Sequence, residues 1–400
     1  MIKVMMVHNH YQQYGGEDKV VEQESQLLRS RGLEVELYAV HNDKIKEAGA
    51  TSKVKTAIDA VWSYTEYRNV TKKLQEFRPD VVHVHNFFPL ISPSVYYACD
   101  RMNIPVVQTL HNYRLVCPAA TFLLGNDICE KCLQGSLVHS VVNSCYRDSR
   151  IQTIPIVSMI VLNNWFGTWK NKVSRYIALT EFAKKKFVQA GLPEGKITIK
   201  PNFLSKAKQD NERITIDQKY ILFVGRLSAE KGIENLMKAW LNIPNREDVK
   251  LFIIGDGPEK DRVSHLYQSD SIHFLGKRTS EEVLNYMSNA LYLITPSIWY
   301  EGLPMTIVEA FSVGTPVLCS KIGSMEEIVE DGVTGFHFVH NDIEDMARTI
   351  KKALEIKDYQ EIREAVYKDF HLKYTEATNY EMLTKIYNAV IEEKRGYAKI

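Results

Sequence analysis

The chain has 400 residues, of which 45% are hydrophobic and 25% are charged, and its formal net charge is +1. A single hydrophobic core seldom organises so many residues, so we expect two domains. The near-neutral charge, without a long basic stripe, argues against a nucleic-acid-binding protein.

The first half of the chain alternates short apolar segments with amphipathic ones. Helices are predicted at about residues 18–31, with Gly32 as the stop signal, and at 181–190. Strands are predicted at residues 3–7, 34–40, 81–85, 105–110 and 174–179. This alternation predicts a parallel sheet with helices on its faces. Because the chain starts with a strand, we expect no signal peptide and a cytoplasmic protein.

Two glycines, Gly15 and Gly16, separate the first strand from the first helix. Glycine lets a backbone approach a ligand closely, and a helix N-terminus attracts phosphate, although such a pair alone is more often a plain turn. His111 follows the strand at 105–110 and should therefore lie at the ligand-binding edge of the sheet. His83 and His85 alternate with valines, so we expect one in the core and one at that edge.

Four of the six cysteines lie in a polar stretch at residues 112–150. Their C-x11-C-x2-C-x12-C spacing indicates a structural zinc site, with unliganded thiols as the alternative. Without a secretory context, reduced thiols or a metal are favoured over disulfides. Cys99 and Cys319 are expected in the core. The four candidate ligands are Cys117, Cys129, Cys132 and Cys145.

Residues 145–200 combine basic side chains with an apolar run at 151–166 that contains Trp165. The run is too short and too interrupted to span a bilayer. Apolar and basic residues together suit an anionic membrane surface, so we expect peripheral membrane contact. A helix packed in its domain with a solvated basic face explains the pattern as well.

A polar segment at residues 205–217 is the predicted linker, and the strand–helix alternation restarts at 220–224. Capping boxes are predicted at Thr279 with Glu282 and at Asn341 with Glu344. The predicted organisation is therefore a first Rossmann-like domain at 1–204 that carries the cysteine insert, a second at 205–374, and a cleft between them. A last helix within 375–400 is expected to cross back to the first domain.

Three turns of the second half follow predicted strands. Gly225 and Arg226 begin a turn that reaches Lys231 at a helix start, where two cations would suit a diphosphate. Alone, this is as readily a solvated surface turn, and it lacks the Walker spacing. Gly255 marks a second turn, at the end of a strand over 251–254.

The third turn carries two carboxylates, Glu301 in a loop after a strand at 290–295 and Glu309 on the following helix, before a strand at 316–319. Open parallel sheets bind ligands at such strand ends, and carboxylates are acceptors for sugar and ribose hydroxyls. Together with the glycine turn at residues 15–16, these turns and the two carboxylates predict a nucleotide-sugar site.

In this order, the motifs resemble those of the retaining glycosyltransferases of family four. The resemblance covers nearly the whole chain, and its most specific element is the Glu-x7-Glu pair with Gly302 and Leu303 inside it. It implies a GT-B architecture, in which the first domain holds the acceptor and the second holds the nucleotide-sugar. The cysteine stretch resembles an insert of a subset linked to surface polysaccharide assembly.

The resemblance implies roles for single residues. Arg226 and Lys231 would neutralise the donor diphosphate with help from Gly16, while Glu301, Gly302 and Leu303 would hold the sugar. Glu309 would accept hydrogen bonds from ribose, and His111 would touch the sugar near its reacting carbon. No catalytic metal is implied, and UDP is the expected nucleotide. A nucleotide-sugar 2-epimerase and a non-catalytic nucleotide-sugar-binding protein are the alternatives.

Overall fold

The computed structural model describes residues 1–12, 15–45, 50–205, 216–244 and 248–397, and most of the predicted linker lies outside these residues. The chain forms two compact units. Unit 1 consists of residues 1–124, 129–202 and the chain from 379 onward, and unit 2 consists of residues 125–128 and 203–378.

Eight strands and nine helices are described in the first half. The strands are β1 (Lys3–His10), β2 (Glu34–His41), β3 (Val81–Asn86), β4 (Val106–Leu110), β5 (Leu123–Leu124), β6 (Asp127–Ile128), β7 (Arg175–Ala178) and β8 (Ile197–Ile199). The helices are α1 (Gly16–Ser30), α2 (Ala50–Val61), α3 (Tyr64–Phe77), α4 (Ser94–Arg101), α5 (Lys131–Gln134), α6 (Val138–Val142), α7 (Arg150–Trp165), α8 (Thr168–Asn171) and α9 (Glu181–Gln189).

The sheet of unit 1 has six parallel strands in the order β2-β1-β3-β4-β7-β8. The order reverses direction beside β1, as in doubly wound folds. β1 runs three residues beyond its predicted end at residue 7, because the polar side chains of His8 and Asn9 are buried with partners there. The hydrophobic periodicity of the sequence alone predicts that these residues lie in a loop.

The second half of the chain contributes six more strands and eight helices to the described structure. The strands are β9 (Tyr220–Val224), β10 (Lys250–Ile254), β11 (Ile272–Gly276), β12 (Tyr292–Thr295), β13 (Val317–Ser320) and β14 (Gly335–Phe338). The helices are α10 (Ile233–Leu241), α11 (Lys260–Leu266), α12 (Ser280–Asn289), α13 (Met305–Ser312), α14 (Gly323–Ile328), α15 (Ile343–Leu354), α16 (Tyr359–Lys373) and α17 (Glu376–Tyr397).

The sheet of unit 2 is also six-stranded and parallel, in the order β11-β10-β9-β12-β13-β14. Helix α17 buries Leu383, Tyr387 and Val390 against Val4 and Val107 of the sheet of unit 1. Two parallel sheets with helices between successive strands confirm the predicted fold class of two Rossmann-like domains.

The helix starts test the two predicted capping boxes. Thr279 and Glu282 form the predicted box, with a bond of 2.8 Å from Thr279 N–H to the carboxylate. The second prediction was wrong, since Asp342 caps α15 and accepts the N–H of Asp345 at 2.9 Å. Asn341 has a φ of 60°, whereas an N-cap residue needs extended backbone geometry.

Candidate active site

Three loops of unit 2 leave the carboxyl ends of neighbouring strands β10, β9 and β12. The amide of Gly225 after β9 donates to Ile254 O at 3.1 Å, and Leu227 N–H donates to Asp256 O at 2.9 Å. The loop after β12 joins the group through Ile298 N–H, which donates to Glu230 O at 3.0 Å. The three predicted ligand-binding turns therefore lie together at one edge of the sheet.

Two glycines permit this close approach. A Cβ on Gly232 would lie 2.0 Å from the carbonyl oxygen of Pro296, and the residue has a φ of +68°. A Cβ on Gly255 would lie 1.8 Å from the carbonyl oxygen of Gly225. Real Cβ atoms do not tolerate such distances, so only glycine fits where the loops meet.

An ion pair joins two of the predicted site residues. Lys231 Nζ lies 2.5 Å from Glu301 Oε1 and 5.4 Å from the ring centre of Trp299. Ser297 Oγ donates to the same carboxylate at 2.8 Å, and Ser324 Oγ donates to the Glu301 carbonyl at 2.8 Å. The structure thus fixes the direction of both the side chain and the backbone of Glu301.

The environment of Glu301 keeps its carboxylate charged. Burial acts to raise the pKa of Glu301, but the charge of Lys231 and hydrogen bonds from Lys231, Trp299 and Ser297 outweigh it, so the pKa is lowered. A buried acceptor and a cation at a strand end can pair with each other or with the hydroxyls and phosphates of a ligand.

The other predicted residues of unit 2 lie on the same loops. Arg226 is exposed after β9, and Gly302 and Leu303 continue the loop that holds Glu301. Glu309 is half-buried in α13, which begins two residues after Leu303. The spacing of eight residues thus places one carboxylate in the loop and one on the helix, as predicted.

In unit 1, the glycine pair begins α1. Gly15 is the N-cap residue, and its N–H donates to Asp18 Oδ2 at 2.9 Å. The other oxygen of Asp18 lies 2.9 Å from His8 Nε2 and 2.8 Å from His10 Nδ1, both at the end of β1. Sequence reasoning missed this cluster, although the run Gly-Gly-Glu-Asp before a helix was a usable signal.

Glu17, the residue before Asp18, is an acid with an unusually high pKa. Its carboxylate accepts a hydrogen bond from Tyr11 Oη at 3.1 Å, and its Oε1 atom is buried. Burial raises the pKa of Glu17 to about 8, even though hydrogen bonds from Tyr11 and Asn112 favour the charged form. The folded chain therefore favours the protonated form of this side chain more than water does.

His111 lies half-buried after β4, with its Nε2 atom 3.0 Å from His85 Nδ1 on the neighbouring strand. His85 and His83 both face Glu24 of α1, at 3.4 and 3.2 Å from its Oε1 atom. Lys200 Nζ lies 3.0 Å from Glu24 Oε2, and both side chains are almost fully buried. His83 and His85 are both buried, so the expectation that one histidine is core and the other edge-facing was too simple.

The four cysteines of the insert are free thiols in unit 1. Burial raises the pKa of Cys132 to about 12, with further contributions from Cys117, Cys145 and Cys129, so the four are electrostatic neighbours. Among the described residues, however, the groups of three or more potential ligand atoms within 4.8 Å are His8–His10–Asp18 and Glu24–His83–His85. The sulfur atoms are therefore grouped but more widely spaced than the ligands of a bound zinc ion.

Comparison with known proteins relates both halves of the chain to glycosyltransferases. Residues 14–207 match the family model described as Glycosyltransferase Family 4, and residues 205–369 match the model described as Glycosyl transferases group 1. Both halves of the chain therefore match glycosyltransferase domains. The units together have the GT-B fold, and the predicted resemblance is confirmed at this level.

Similar sequences come from several organisms. An uncharacterized glycosyltransferase of Methanocaldococcus jannaschii is 34% identical over 164 residues, 40% of this chain and 42% of that protein. The lipopolysaccharide 1,2-N-acetylglucosaminetransferase of Salmonella typhimurium is 30% identical over 214 residues, 48% of this chain and 56% of that protein. The chain thus spans about half the length of these curated relatives.

Solved structures match the whole fold at low sequence identity. Anabaena HepE in complex with UDP and glucose has a TM-score of 0.67 and 17% identity, over 97% of this chain and 100% of that one. Sucrose-phosphate synthase from Thermosynechococcus elongatus has a TM-score of 0.69 and 14% identity, over 98% and 100% of the two chains. These similarities establish the two-domain architecture.

Proposed function

We propose that the protein transfers a hexosyl group from a nucleoside-diphosphate sugar to an acceptor hydroxyl, with retention of anomeric configuration. The observation that carries the proposal is the Lys231–Glu301 pair, held where three strand-end loops of unit 2 meet. UDP is the proposed nucleotide, because HepE, with the same fold, has been solved with UDP and with UDP-glucose.

Each charged group has a role in this proposal. Arg226 and Lys231 neutralise the diphosphate, and the backbone of Gly16 at the start of α1 supports it. Glu301 with the backbone of Gly302 and Leu303 binds the sugar, and Glu309 accepts hydrogen bonds from the ribose. When the phosphates arrive, Lys231 exchanges part of its contact with Glu301 for the diphosphate. The Gly225 and Gly255 turns shape the loop edge.

The proposed reaction needs no protein nucleophile. The bond between the anomeric carbon and the diphosphate oxygen breaks, the acceptor oxygen attacks the same face, and the diphosphate takes the acceptor proton. Catalysis then comes mainly from cations and helix ends that favour the charge on the leaving diphosphate. His111 contacts the donor sugar near the reacting carbon. No metal is required for these steps.

Substitutions test the assignment. Lys231→Ala and Glu309→Ala should each reduce turnover of the nucleotide-sugar that the wild-type protein uses by about 100-fold or more, equivalent to about 2.7 kcal/mol. Lys238→Ala and Glu344→Ala remove the same charges from exposed helix positions and serve as matched controls. Full activity in both site variants, with the fold intact, would refute the site.

The stereochemistry has its own test. Proton NMR of the product should show the anomeric configuration of the donor, and an inverted product would refute same-face attack. Product formation without an acceptor, as an isomerised nucleotide-sugar, would instead favour a 2-epimerase. Binding without turnover would favour a nucleotide-sugar-binding protein.

We further propose that the acceptor belongs to surface polysaccharide or glycolipid assembly and that unit 1 contacts an anionic membrane. None of the helices in the described ranges has the length and apolarity to span a bilayer. Helix α7 and its end nevertheless expose Ile151 (81%) and Trp165 (79%), with Arg150 and Lys170 exposed nearby. Apolar side chains flanked by cations suit a lipid surface.

Vesicle sedimentation tests this contact. Trp165→Ala with Phe166→Ala should lower binding to vesicles that contain anionic lipid by about tenfold or more. Leu372→Ala, at another exposed apolar position, is the control and should leave binding unchanged. Equal sedimentation of all three proteins would remove the membrane from the proposal.

A structural zinc ion in the insert is the last part of the proposal. Among residues 123–150 only Ser140 is buried, so this segment has almost no apolar core of its own. Four thiolates drawn onto one ion would supply the missing constraint. Metal analysis of the purified protein should give about one zinc per chain, whereas less than about one tenth would exclude the site.

A further inference from the structure

The polar cluster around Glu24 connects a buried ion pair to His111 through one other side chain. We propose that Glu24, paired with Lys200, is a positioning residue that acts through His85 and holds His111 with its proton on Nε2 and a bare Nδ1. All four residues belong to unit 1, and the inference rests on the proposed function only for the consequence of that bare nitrogen.

The first step is the charge of Glu24. Burial acts to raise its pKa, but the Lys200 charge at 3.0 Å and the neighbouring imidazoles outweigh burial, so the pKa lies well below its usual range. An ionised carboxylate can only accept hydrogen bonds. The imidazole nitrogens nearest its Oε1 atom, His83 Nδ1 at 3.2 Å and His85 Nε2 at 3.4 Å, are at ion-pair distance without a formed hydrogen bond. The negative charge of Glu24 favours a proton over a lone pair on the His85 nitrogen that faces it.

The second step is the tautomer of His85. Burial and the nearby His83 lower the pKa of His85 to about 3, so the ring is neutral and carries one proton. If that proton is on Nε2, which faces Glu24 at 3.4 Å, then Nδ1 is an acceptor. The atom opposite Nδ1 at 3.0 Å is His111 Nε2, which must then be the donor.

The third step follows for His111 itself. Burial, with His85 close by, holds its pKa well below the ordinary value, so this ring is also neutral with a single proton. A proton on Nε2 leaves Nδ1 as an acceptor. On the proposed function, His111 therefore accepts a hydrogen bond from a hydroxyl group of the donor sugar, and does not donate one to it.

The experiment is long-range 1H–15N NMR of the full chain labelled at histidine, near pH 7. His85→Asn and His111→Asn identify the two rings by the peaks that disappear. Wild-type protein should show both rings neutral and protonated on Nε2. A His111 protonated on Nδ1, or charged, would overturn the inference, and this result needs neither donor nor activity.

A charge-free double variant tests the causal role of Glu24. Glu24→Gln with Lys200→Met leaves no buried unpaired charge, and it should convert His111 to a mixture of tautomers and lower kcat by roughly tenfold. Glu22→Gln, at an exposed position on the same helix, leaves the buried pair in place and should change neither the His111 tautomer nor kcat.

The possible outcomes distinguish a failure of the Glu24 role from a failure of the proposed function. An unchanged His111 tautomer in the double variant would overturn the role of Glu24. If the double variant does not fold, the wild-type spectrum still decides the tautomers. The expected tautomers in a protein that binds no nucleotide-sugar would contradict the proposed function and leave this positioning chain intact.

Discussion

Lys200 and Glu24 form an ion pair that unit 1 encloses almost completely, since each side chain is only 1% exposed. Two charges removed from water gain little over a well-packed apolar pair, but one charge left alone is costly. The contribution of this pair to the protein therefore lies in the groups that it orders, namely the imidazole rings of His83 and His85 on β3.

A stability cycle at this pair gives the first prediction. Lys200→Met alone should reduce the free energy of unfolding by about 3–5 kcal/mol, because it leaves the buried Glu24 carboxylate without its cationic partner. The double variant Glu24→Gln with Lys200→Met should lose much less. Urea unfolding measures both, and equal losses in the single and double variants would contradict a charged pair.

Glu17 gives the second prediction, which concerns pH. Its pKa of about 8 in the folded protein exceeds that of an unfolded glutamate, so folding favours the protonated acid. The stabilisation is complete below about pH 4.5 and is lost as pH rises toward 8. The Glu17 contribution to stability should thus fall over this interval, while the neutral histidines His85 and His111 contribute in the opposite direction as pH rises toward their ordinary pKa.

Replacement isolates the contribution of Glu17. The free energy of unfolding of Glu17→Gln should increase relative to that of wild type between about pH 5 and pH 8, since the amide does not ionise. Glu22→Gln, at an exposed position on the same helix, should leave the pH profile as in wild type. Parallel profiles in all three proteins would show that Glu17 is not protonated in the folded chain.

The sequence identified some of these residues and not others for a physical reason. Glu301 and Glu309 were predictable because their spacing on either side of a strand-to-helix junction is local. Glu24 was not, since one acid on an amphipathic helix looks like a surface charge. Its partner Lys200 is 176 positions away, and only the tertiary fold brings them together.

At the scale of elements, the loops after β9, β10 and β12 depend on glycine where their backbones meet. Gly232 and Gly276 form a matched pair, because both have positive φ values, +68° and +71°. A Cβ on Gly276 meets nothing within 4 Å, whereas one on Gly232 meets the Pro296 carbonyl. An alanine would therefore carry backbone strain at both positions, but it would clash with a neighbouring loop only at position 232.

The third prediction compares these glycines. Gly276→Ala should cost only the strain of a positive φ, about 1 kcal/mol, and should bind nucleotide as wild type does. Gly232→Ala should destabilise the protein further and weaken nucleotide binding, because the loop that carries Glu301 must move. Thermal unfolding and titration calorimetry measure the two effects, and equal behaviour of the variants would contradict the packed loop edge.

The boundaries of strands and helices show which structural features local sequence patterns can predict. The strand at 220–224 was predicted to the residue, since it is a short apolar run bounded by polar residues. The end of β1 was missed, because His8 and Asn9 are buried polar residues whose partners come from other elements. Helix α15 starts one residue later than predicted, a difference set by the backbone angle at Asn341.

At the scale of the whole molecule, two parallel sheets of six strands each present polar residues at their carboxyl edges. The fold class was predictable, because alternation of strands and helices in two blocks leaves few other architectures. Donor sugar and acceptor are not predictable in the same way, since they depend on pocket contacts outside the shared motifs. The family models that match the two halves of the chain likewise indicate the class of domain and not the sugar or the acceptor.

In the proposed reaction, unit 2 binds the nucleoside diphosphate of a sugar donor through Lys231. Thermal unfolding with millimolar UDP, GDP, ADP and dTDP tests it most directly. One nucleotide, expected to be UDP, should raise Tm by several degrees, since a ligand at 100 times its Kd adds about 2.7 kcal/mol. The shift should vanish in Lys231→Ala and persist in Lys238→Ala. No shift with any of the four nucleotides, or an equal shift in both variants, would contradict nucleotide binding through Lys231.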